Sequence, residues 1–281
     1  MSHLFQKIKE SVELLRQKKF ERSEIEARAL MSLVLRCDPS ALIASDDRPL
    51  STDEENRFDE LLKRRLRYEP LAYLRGEKEF FGRTFHVSSG CLIPRPETES
   101  LVEEVLKWIS SRGLTGGRIL DIGTGSGCIA VTLAKELSSD FEIVAVDRST
   151  EALAIAKENA RLLGAENVQF IQWDLLRSEN LDSPSDWTVV VSNPPYIPSA
   201  EIPDLQPDVR DFEPRMALDG GEDGLLFIRE IIDRFWPEIS VPGLLALETH
   251  SVVQREHVQM AFSSLRMRDW VVGPHLFMER L

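Results

Sequence analysis

The stretch Asp121-Ile122-Gly123-Thr124-Gly125-Ser126-Gly127 decides the fold of this 281-residue chain. An apolar, strand-like run at residues 118–122 leads into it, and a helical pattern at residues 128–137 follows. Glycine adopts backbone conformations that other residues avoid, so these glycines let the chain turn sharply and approach a ligand closely. The stretch therefore predicts a ligand-binding turn between a strand and a helix, with a purely structural turn as the alternative.

Strand and helix patterns alternate along the chain from this turn onward. The predicted strands cover residues 118–122, 141–146, 168–173, 187–192 and 243–248, and the predicted helices cover residues 128–137, 151–163, 225–235 and 252–262. The proline-rich residues 194–214 are predicted to form a long loop, and the last residues a strand pair. Such alternation builds an α/β fold, a parallel sheet with helices on both faces. Ligands of these sheets bind beyond the carboxyl ends of the strands, where the glycine-rich turn lies.

The N-terminal part of the chain has a different pattern. Apolar residues recur at helical spacing through residues 1–75, which predicts a small all-α domain. Two short strands turning at Gly82 are predicted within residues 79–87, and an amphipathic helix follows at residues 101–109. We therefore divide the chain into a helical domain at residues 1–75, a β-hairpin linker at residues 76–95 and an α/β domain at residues 96–281.

The net charge of −13 is distributed unevenly. Residues 1–78 carry 16 basic and 15 acidic side chains, whereas the remaining residues carry 18 basic and 32 acidic ones. Proteins that bind nucleic acid draw affinity from basic side chains that replace phosphate counterions. The acidic balance of the α/β region therefore argues against duplex DNA as its direct substrate.

The cysteine content and the hydropathy of the chain indicate the cellular compartment in which the protein is expected. The three cysteines, Cys37, Cys91 and Cys128, are odd in number and widely spaced, which predicts neither a disulfide framework nor a metal site. No apolar run approaches the ~20 residues that cross a bilayer, and the first residues lack the apolar core of a secretory signal. We expect a cytoplasmic protein that binds no metal and no membrane.

The glycine spacing narrows the choice of ligand. Dinucleotide-binding turns have the pattern G-x-G-x-x-G, whereas this turn has G-x-G-x-G with Cys128 at the next position, which disfavours an NAD-dependent dehydrogenase. The shorter pattern resembles motif I of class I methyltransferases, whose cofactor is S-adenosylmethionine. The resemblance implies that the cofactor lies along Gly123, Thr124, Gly125, Ser126 and Gly127.

Carboxylates end the next two predicted strands. Asp147 ends the second strand, where a carboxylate can accept hydrogen bonds from both ribose hydroxyls; a helix N-cap is the alternative. Asp174 ends the third strand. The resemblance implies that Asp174 lies near the adenine amino group and that the backbone N–H of Leu175 faces the ring, with a solvated loop acid as the alternative for Asp174.

The fourth predicted strand runs directly into Asn193-Pro194-Pro195-Tyr196. Neither proline has an N–H, and each holds the residue before it extended, so the segment is stiff. The Asn193 side-chain oxygen and the Pro194 carbonyl can accept both hydrogens of an incoming –NH₂ group, and Tyr196 offers a flat face for a planar amide or base. An Asn-Pro turn that merely ends a strand is the alternative.

This acceptor pair suits a poor nitrogen nucleophile beside a methyl donor. Accepting both N–H bonds draws an amide nitrogen toward pyramidal geometry and aims its lone pair at the methyl group. Alignment of this kind is worth up to ~7–11 kcal/mol in well-oriented systems. No strong base is required, since the product can lose its proton after transfer. We therefore assign Asn193, Pro194 and Tyr196 to catalysis, the whole tetrapeptide to substrate binding, and Asn193 to the cofactor site as well.

The chain is similar to the protein-(glutamine-N5) methyltransferases that modify peptide chain release factors, over residues 70–254. Matching segments are EPLAYLRG at 69–76, FFG at 80–82, LIPRPETE at 92–99, DIGTGSGCIA at 121–130, SNPPYI at 192–197, DFEP at 211–214 and ALDGG at 217–221. Adenine-N6 and cytosine-N4 DNA methyltransferases share the tetrapeptide. The PRPETE run and the helical N-terminal domain are much more particular to the glutamine enzymes.

The resemblance implies a Rossmann-like class I methyltransferase domain with a mostly parallel seven-stranded sheet. It implies methylation of the glutamine in the Gly-Gly-Gln loop of class I release factors, with S-adenosylhomocysteine as the other product and the helical domain holding the release factor. A monomer is expected.

The chain departs from the family pattern at three places. Leu175 stands where an aromatic residue is common, Glu248-Thr249-His250 where Glu-x-Gly is common, and His275 where an arginine is common. Two alternatives stay open. One is a nucleic-acid adenine-N6 methyltransferase, which needs a basic cleft and a flipped base. The other is a non-catalytic scaffold that keeps the fold.

Overall fold

A computed structural model describes residues 3–42, 47–177, 181, 186–250, 252–262 and 267–280. The helices are α1 (Leu4–Gln17), α2 (Ser23–Leu35), α3 (Thr52–Arg65), α4 (Leu71–Arg75), α5 (Pro96–Ser111), α6 (Cys128–Glu136), α7 (Thr150–Leu163), α8 (Pro207–Arg210), α9 (Leu226–Phe235) and α10 (Val252–Ala261). The strands are β1 (Glu77–Phe80), β2 (Arg83–His86), β3 (Gly117–Ile122), β4 (Phe141–Asp147), β5 (Gln169–Gln172), β6 (Trp187–Ser192), β7 (Ile239–Glu248), β8 (Met267–Val272) and β9 (His275–Arg280).

The chain divides into two compact units. The first unit comprises Met1–Gly76 with Pro207–Phe212, and the second comprises Glu77–Gln206 with Glu213–Leu281. This division places the β-hairpin in the second unit. The three-part domain division made from the sequence stays a prediction.

The first unit is helical, as predicted. Apolar side chains one turn apart on α1 are buried against α2 and α3, among them Leu4, Ile8 and Leu15. Helix α3 begins at a capping box, in which the Ser51 side chain accepts the Glu54 backbone N–H and the Glu54 carboxylate accepts the Ser51 N–H. Burial of one apolar face on each of α1, α2 and α3 therefore holds this unit together.

The second unit contains a seven-stranded sheet in the order β5-β4-β3-β6-β7-β9-β8. The first five strands are parallel, and β9 lies antiparallel between β7 and β8. Alternate side chains of β3 enter the two apolar layers on opposite faces, Ile119 on one face and Leu120 on the other. Burial on both faces is the reason why the central strands read as continuous apolar runs. The predicted α/β fold with a mostly parallel seven-stranded sheet is confirmed.

Several element limits differ from the sequence prediction. Residues 194–214 are not wholly a loop, because a 3-10 helix covers Ile202–Asp204 and α8 follows it. Helix α5 begins at Pro96, five residues before the predicted start. The same reason applies to all three helices: proline has the φ angle of a first helical turn, and the backbone N–H that it lacks is not needed there. Strand β7 begins before its predicted start, because Ile239 pairs with Trp187 ahead of a register shift in β6.

The hairpin agrees with the sequence prediction. Strands β1 and β2 pair antiparallel, and Gly82 occupies the turn with a positive φ of 68°. Cys37, Cys91 and Cys128 form no disulfide with one another. None of the helices in the described ranges is both long and apolar enough to cross a bilayer.

Candidate active site

A cleft of about 800 Å³, including its open mouth, lies at the carboxyl ends of β3, β4 and β6. Residues predicted from the sequence that line it are Gly123, Gly125, Asp147, Asp174, Leu175, Asn193, Pro194 and Pro195. Four other predicted residues are not among its lining residues: Thr124, Ser126, Gly127 and Tyr196. The cleft therefore brings the glycine-rich turn, both predicted carboxylates and most of the tetrapeptide to one place.

The three glycines of the turn have different surroundings. Gly123, Gly125 and Gly127 all have positive φ angles, of 73°, 56° and 81°. A Cβ atom on Gly127 would lie 3.1 Å from the Ala156 Cβ, whereas a Cβ atom on Gly123 would meet no protein atom within 4 Å. Gly127 therefore permits helix packing, and Gly123 leaves room for a ligand.

This difference predicts that alanine at Gly123 mainly weakens cofactor binding, whereas alanine at Gly127 mainly lowers the stability of the protein. Gly123→Ala should cost only the left-handed backbone strain, about 1–2 kcal/mol, but should weaken binding of S-adenosylmethionine at least ~10-fold, roughly 1.4 kcal/mol. Gly127→Ala adds an overpacked contact of about 1–3 kcal/mol to the same strain. Urea unfolding and calorimetric titration of both variants measure the two effects. A larger stability loss in Gly123→Ala than in Gly127→Ala would contradict this assignment.

Asp121 supports the turn from within the protein. It is fully buried, and its Oδ2 atom accepts the Thr124 hydroxyl at 2.7 Å and the Ala130 N–H at 3.3 Å. Burial raises the pKa of this carboxyl to about 7, and the nearby charge of Asp147 acts in the same direction. Sequence reasoning gave Asp121 no role, yet it holds the turn to the start of α6.

Asp147 lies at the end of β4 with spare acceptor capacity. Its Oδ1 atom accepts the Ser149 N–H and its Oδ2 atom accepts the Gly125 N–H, both at 2.9 Å. Each carboxylate oxygen has two lone pairs, so both can accept a further hydrogen bond. Burial raises the pKa of this group, and the two backbone N–H donors oppose that effect. The N-cap of α7 is Ser149, whose hydroxyl oxygen accepts the Ala152 N–H.

Asp174 and Leu175 follow β5. One oxygen of Asp174 accepts the Leu176 N–H at 3.0 Å, a local turn contact consistent with the loop-acid alternative. Leu175 is buried and lines the cleft together with Trp173, whose ring packs edge-on against Phe235 with centroids 5.8 Å apart. An apolar wall therefore borders the place predicted for the adenine ring, with Leu175 where the family commonly has an aromatic residue.

The two polar atoms of the Asn193 side-chain amide differ in their hydrogen bonding. Its Nδ2 atom donates to the Thr98 hydroxyl oxygen at 3.1 Å. Within the described parts of the chain, no protein donor reaches the Asn193 Oδ1 atom or the Pro194 carbonyl. The proposed acceptor pair is thus available at the cleft.

Tyr196 is placed differently from its neighbours. Its hydroxyl donates to Glu248 Oε1 at 3.2 Å, and its ring stacks on His250 with centroids 5.9 Å apart. Burial, followed by the charge of Glu248, raises the pKa of the Tyr196 hydroxyl. Because His250 covers one face of the ring, a substrate could stack only on the other; the stacking role of Tyr196 stays a prediction.

The residues that contact the backbone carbonyls of the tetrapeptide were not predicted from the sequence. The buried Gln254 side chain donates to the carbonyls of Tyr196 and Gly224, at 3.0 and 2.9 Å. A Cβ atom on Gly224 would lie 2.2 Å from the Tyr196 carbonyl oxygen, and one on Gly220 would lie 2.8 Å from that of Pro195. Three glycines close together, at 220, 221 and 224, between the predicted loop at residues 194–214 and the predicted helix at residues 225–235, were the available signal.

Two family models match the chain. The PrmC N-terminal domain matches residues 6–76, and a methyltransferase domain matches residues 114–212. The chain is 40% identical to the release factor glutamine methyltransferase of Koribacter versatilis (strain Ellin345) over 247 residues, which cover 88% of this chain and 84% of that protein. It is 41% identical to the enzyme of the same name from Geobacter sulfurreducens over 251 residues, covering 89% and 84%.

Solved structures show the same fold at low sequence identity. A methyltransferase from Pyrococcus furiosus superposes with a TM-score of 0.50 and 17% identity, covering 77% of this chain and 98% of that one. The catalytic domain of hMettl16, solved in complex with MAT2A 3'UTR hairpin 6, gives a TM-score of 0.53 and 14% identity, covering 71% and 75%. These likenesses concern the fold alone.

Proposed function

Because the chain belongs to the release factor glutamine methyltransferase family, we propose that it methylates the side-chain amide nitrogen, N5, of a glutamine in class I peptide chain release factors. The glutamine is that of the Gly-Gly-Gln loop. The chain is an S-adenosylmethionine-dependent methyltransferase. The observation that carries the proposed substrate is the open acceptor pair, Asn193 Oδ1 and the Pro194 carbonyl, beside the cleft.

The residues present fit S-adenosylmethionine. The spare lone pairs of Asp147 would accept the ribose hydroxyls, and the space beside Gly123 would admit the amino-acid tail. The apolar wall at Leu175 and Trp173 would cover the adenine ring, with Asp174 beside its amino group. When bound, S-adenosylmethionine supplies a methyl group made electrophilic by its sulfonium, and S-adenosylhomocysteine is left.

The chain's own part in the reaction is alignment. Asn193 Oδ1 and the Pro194 carbonyl accept the two amide hydrogens and fix the direction of the nitrogen lone pair. The prolines keep these acceptors in place, because neither has an N–H that could form a hydrogen bond and so stabilise another backbone conformation. The methylated nitrogen gives up its extra proton after transfer, so the proposal requires no general base and no metal.

Partner and compartment follow from the proposed substrate. We assign recognition of the release factor to the helical domain, residues 1–75, whose nearly balanced charge contrasts with the acidic α/β region. Because release factors act in translation, we place the enzyme in the cytoplasm, and we propose that it works as a monomer without binding DNA or a membrane.

One assay tests the substrate. Purified class I release factors, with the Gly-Gly-Gln glutamine intact or replaced by alanine, are incubated with the enzyme and methyl-labelled S-adenosylmethionine. Label should enter only the intact factor, because alanine offers no amide to Asn193 and Pro194. Equal labelling of both factors, or labelling of duplex DNA alone in a parallel sample, would overturn the assignment.

A further inference from the structure

One buried carboxylate lies behind the tetrapeptide. Glu248, at the end of β7, is 2% exposed. Its Oε2 atom accepts the hydroxyl of Thr98, in the first turn of α5, at 2.8 Å, and its Oε1 atom accepts the Tyr196 hydroxyl at 3.2 Å. The Thr98 hydroxyl oxygen in turn accepts a hydrogen bond from the Asn193 Nδ2 atom at 3.1 Å. Glu248 therefore contacts α5 and Tyr196 directly and is linked to Asn193 through Thr98.

The direction of these hydrogen bonds is determined by chemistry. An ionised carboxylate only accepts, so Thr98 must use its single proton toward Glu248. The Thr98 oxygen can then only accept from Asn193, which places the Asn193 NH₂ group toward Thr98. The opposite orientation of the Asn193 amide would bring its oxygen against the Thr98 oxygen, which has no proton left to donate. The remaining orientation leaves Oδ1 free for an incoming –NH₂ group.

We propose that Glu248 is a positioning residue, which acts through Thr98 to hold the Asn193 side-chain oxygen toward the substrate and which anchors Tyr196 directly. The inference rests on the function proposed above, since the positioned atom is the proposed amide acceptor. Glu248 and Thr98 touch neither substrate nor cofactor in this scheme. Their effect on the reaction comes from the orientation of one amide group.

The negative charge of Glu248 determines the direction of the two hydrogen bonds in the relay, from Asn193 to Thr98 and from Thr98 to Glu248. Titratable groups that act on it or on its tyrosine partner are Glu97 on α5, Tyr196, His275 on β9, and Arg95 acting on Tyr196. His275 is fully buried. Its Nε2 atom lies 2.8 Å from the Glu97 carbonyl oxygen, which can only accept a hydrogen bond, so Nε2 carries the ring proton. Its Nδ1 atom, 3.8 Å from Glu248 Oε2, has no hydrogen-bond partner in the described ranges. Burial lowers the pKa of His275, so a neutral ring faces the carboxylate.

Protonation of Glu248 removes the constraint on Thr98. Burial raises the pKa of Glu248 above its usual value near 4.5, although the hydrogen bonds from Thr98 and Tyr196 oppose this. A protonated Glu248 can donate to Thr98, whose own proton can then turn toward Asn193 and favour the reversed amide. Activity should therefore be complete above the pKa of Glu248 and decline as the pH falls through it.

The matched pair Thr98→Val and Thr98→Ser tests the relay in the full-length enzyme. Valine keeps the shape of threonine without the hydroxyl, so kcat should fall by about 10–100-fold, within the range seen for small misplacements of reacting groups. Serine keeps the hydroxyl and should retain kcat within threefold. The KM and Kd for S-adenosylmethionine should stay within threefold in both variants. A kcat within threefold of wild type for Thr98→Val would overturn the proposal, as would equal losses in both variants.

The pH profile of Glu248→Gln gives a readout that a merely structural role would not change. A glutamine carbonyl can still accept from Thr98 while its NH₂ group faces the Tyr196 oxygen, so substantial activity should remain. The decline of kcat at acidic pH should disappear, because glutamine does not titrate. If kcat of Glu248→Gln declined at acidic pH as it does in the wild-type enzyme, the role given to Glu248 would be contradicted.

A measurement without substrate separates this inference from the proposed function. In isotope-labelled enzyme, the Asn193 side-chain NH₂ protons should show nuclear Overhauser contacts to the Thr98 side chain. Their absence from the wild-type enzyme would overturn the positioning role whatever the substrate. If the contacts are present but no release factor is methylated, the positioning role stands and the proposed substrate fails.

Discussion

Replacing Asn193 by alanine should reduce kcat for methyl transfer by about 10²–10³-fold, comparable to the loss of one oriented hydrogen-bonding group in other active sites. The substitution removes the side-chain acceptor of the pair and leaves the Pro194 carbonyl alone, so the nitrogen lone pair is no longer directed. Binding of S-adenosylmethionine should change much less, within threefold by calorimetry, since most residues that line the cofactor side of the cleft are untouched. Single-turnover labelling of a release factor measures the chemical step.

Asn167→Ala is the matched control for this experiment. Asn167 is exposed in the turn before β5, at the amino end of the strand and in the same unit as Asn193. The same change of side chain there should leave kcat and cofactor affinity at wild-type values. If Asn193→Ala lost transfer and cofactor binding in equal proportion, Asn193 would be a cofactor ligand rather than the amide acceptor.

Replacing Asp147 by asparagine should weaken binding of S-adenosylmethionine by about 10²–10⁴-fold. The variant loses the charge that strengthens two hydrogen bonds to ribose hydroxyls, each worth about 1.5–3 kcal/mol when one partner is ionised. An amide also has only one acceptor atom, so it cannot accept from both Gly125 and Ser149 as the carboxylate does. Isothermal titration measures the affinity, and kcat at saturating cofactor should recover to within about tenfold of wild type, about 1.4 kcal/mol.

Asp140→Asn separates the local effect from the loss of one negative charge. Asp140 is exposed directly before β4, so it lies at the opposite end of the strand that Asp147 terminates. Its replacement should leave the affinity for S-adenosylmethionine within twofold of wild type. Similar losses in both variants would mean that the overall field of the acidic unit, and not the contact at Asp147, governs cofactor binding.

The sheet was predictable because its central strands are buried on both faces. Residues such as Val189, Val190 and Val191 form an apolar run that is typical of a strand covered on both faces, and the glycine-rich turn marks the carboxyl end of the neighbouring strand. The cleft follows from this, since side chains that end parallel strands meet at one edge. The helices within residues 194–214 were not predicted, because two prolines there were interpreted as loop signals rather than as helix starts.

The support behind the tetrapeptide could not be predicted from local patterns. Thr98 and Glu248 are separated by 150 residues, and each is ordinary in its own element, a first helical turn and a strand end. Hydropathy and spacing report on neighbours within a segment, whereas this contact depends on which strands and helices become adjacent. His275 illustrates the same limit: its buried position beside Glu248 arises only when β9 pairs with β7.

The interior position of β9 affects the order of folding during synthesis. Strands β3 to β7 emerge from the ribosome in sequence, but β9, which follows all of them in the chain, pairs on both edges, with β7 and with β8. Until residues 275–280 have emerged, β7 has a free edge and β8 has no partner in the sheet. The seven-stranded sheet therefore stays incomplete until residues 275–280 have emerged, and the contact between Glu248 and His275 cannot form before then.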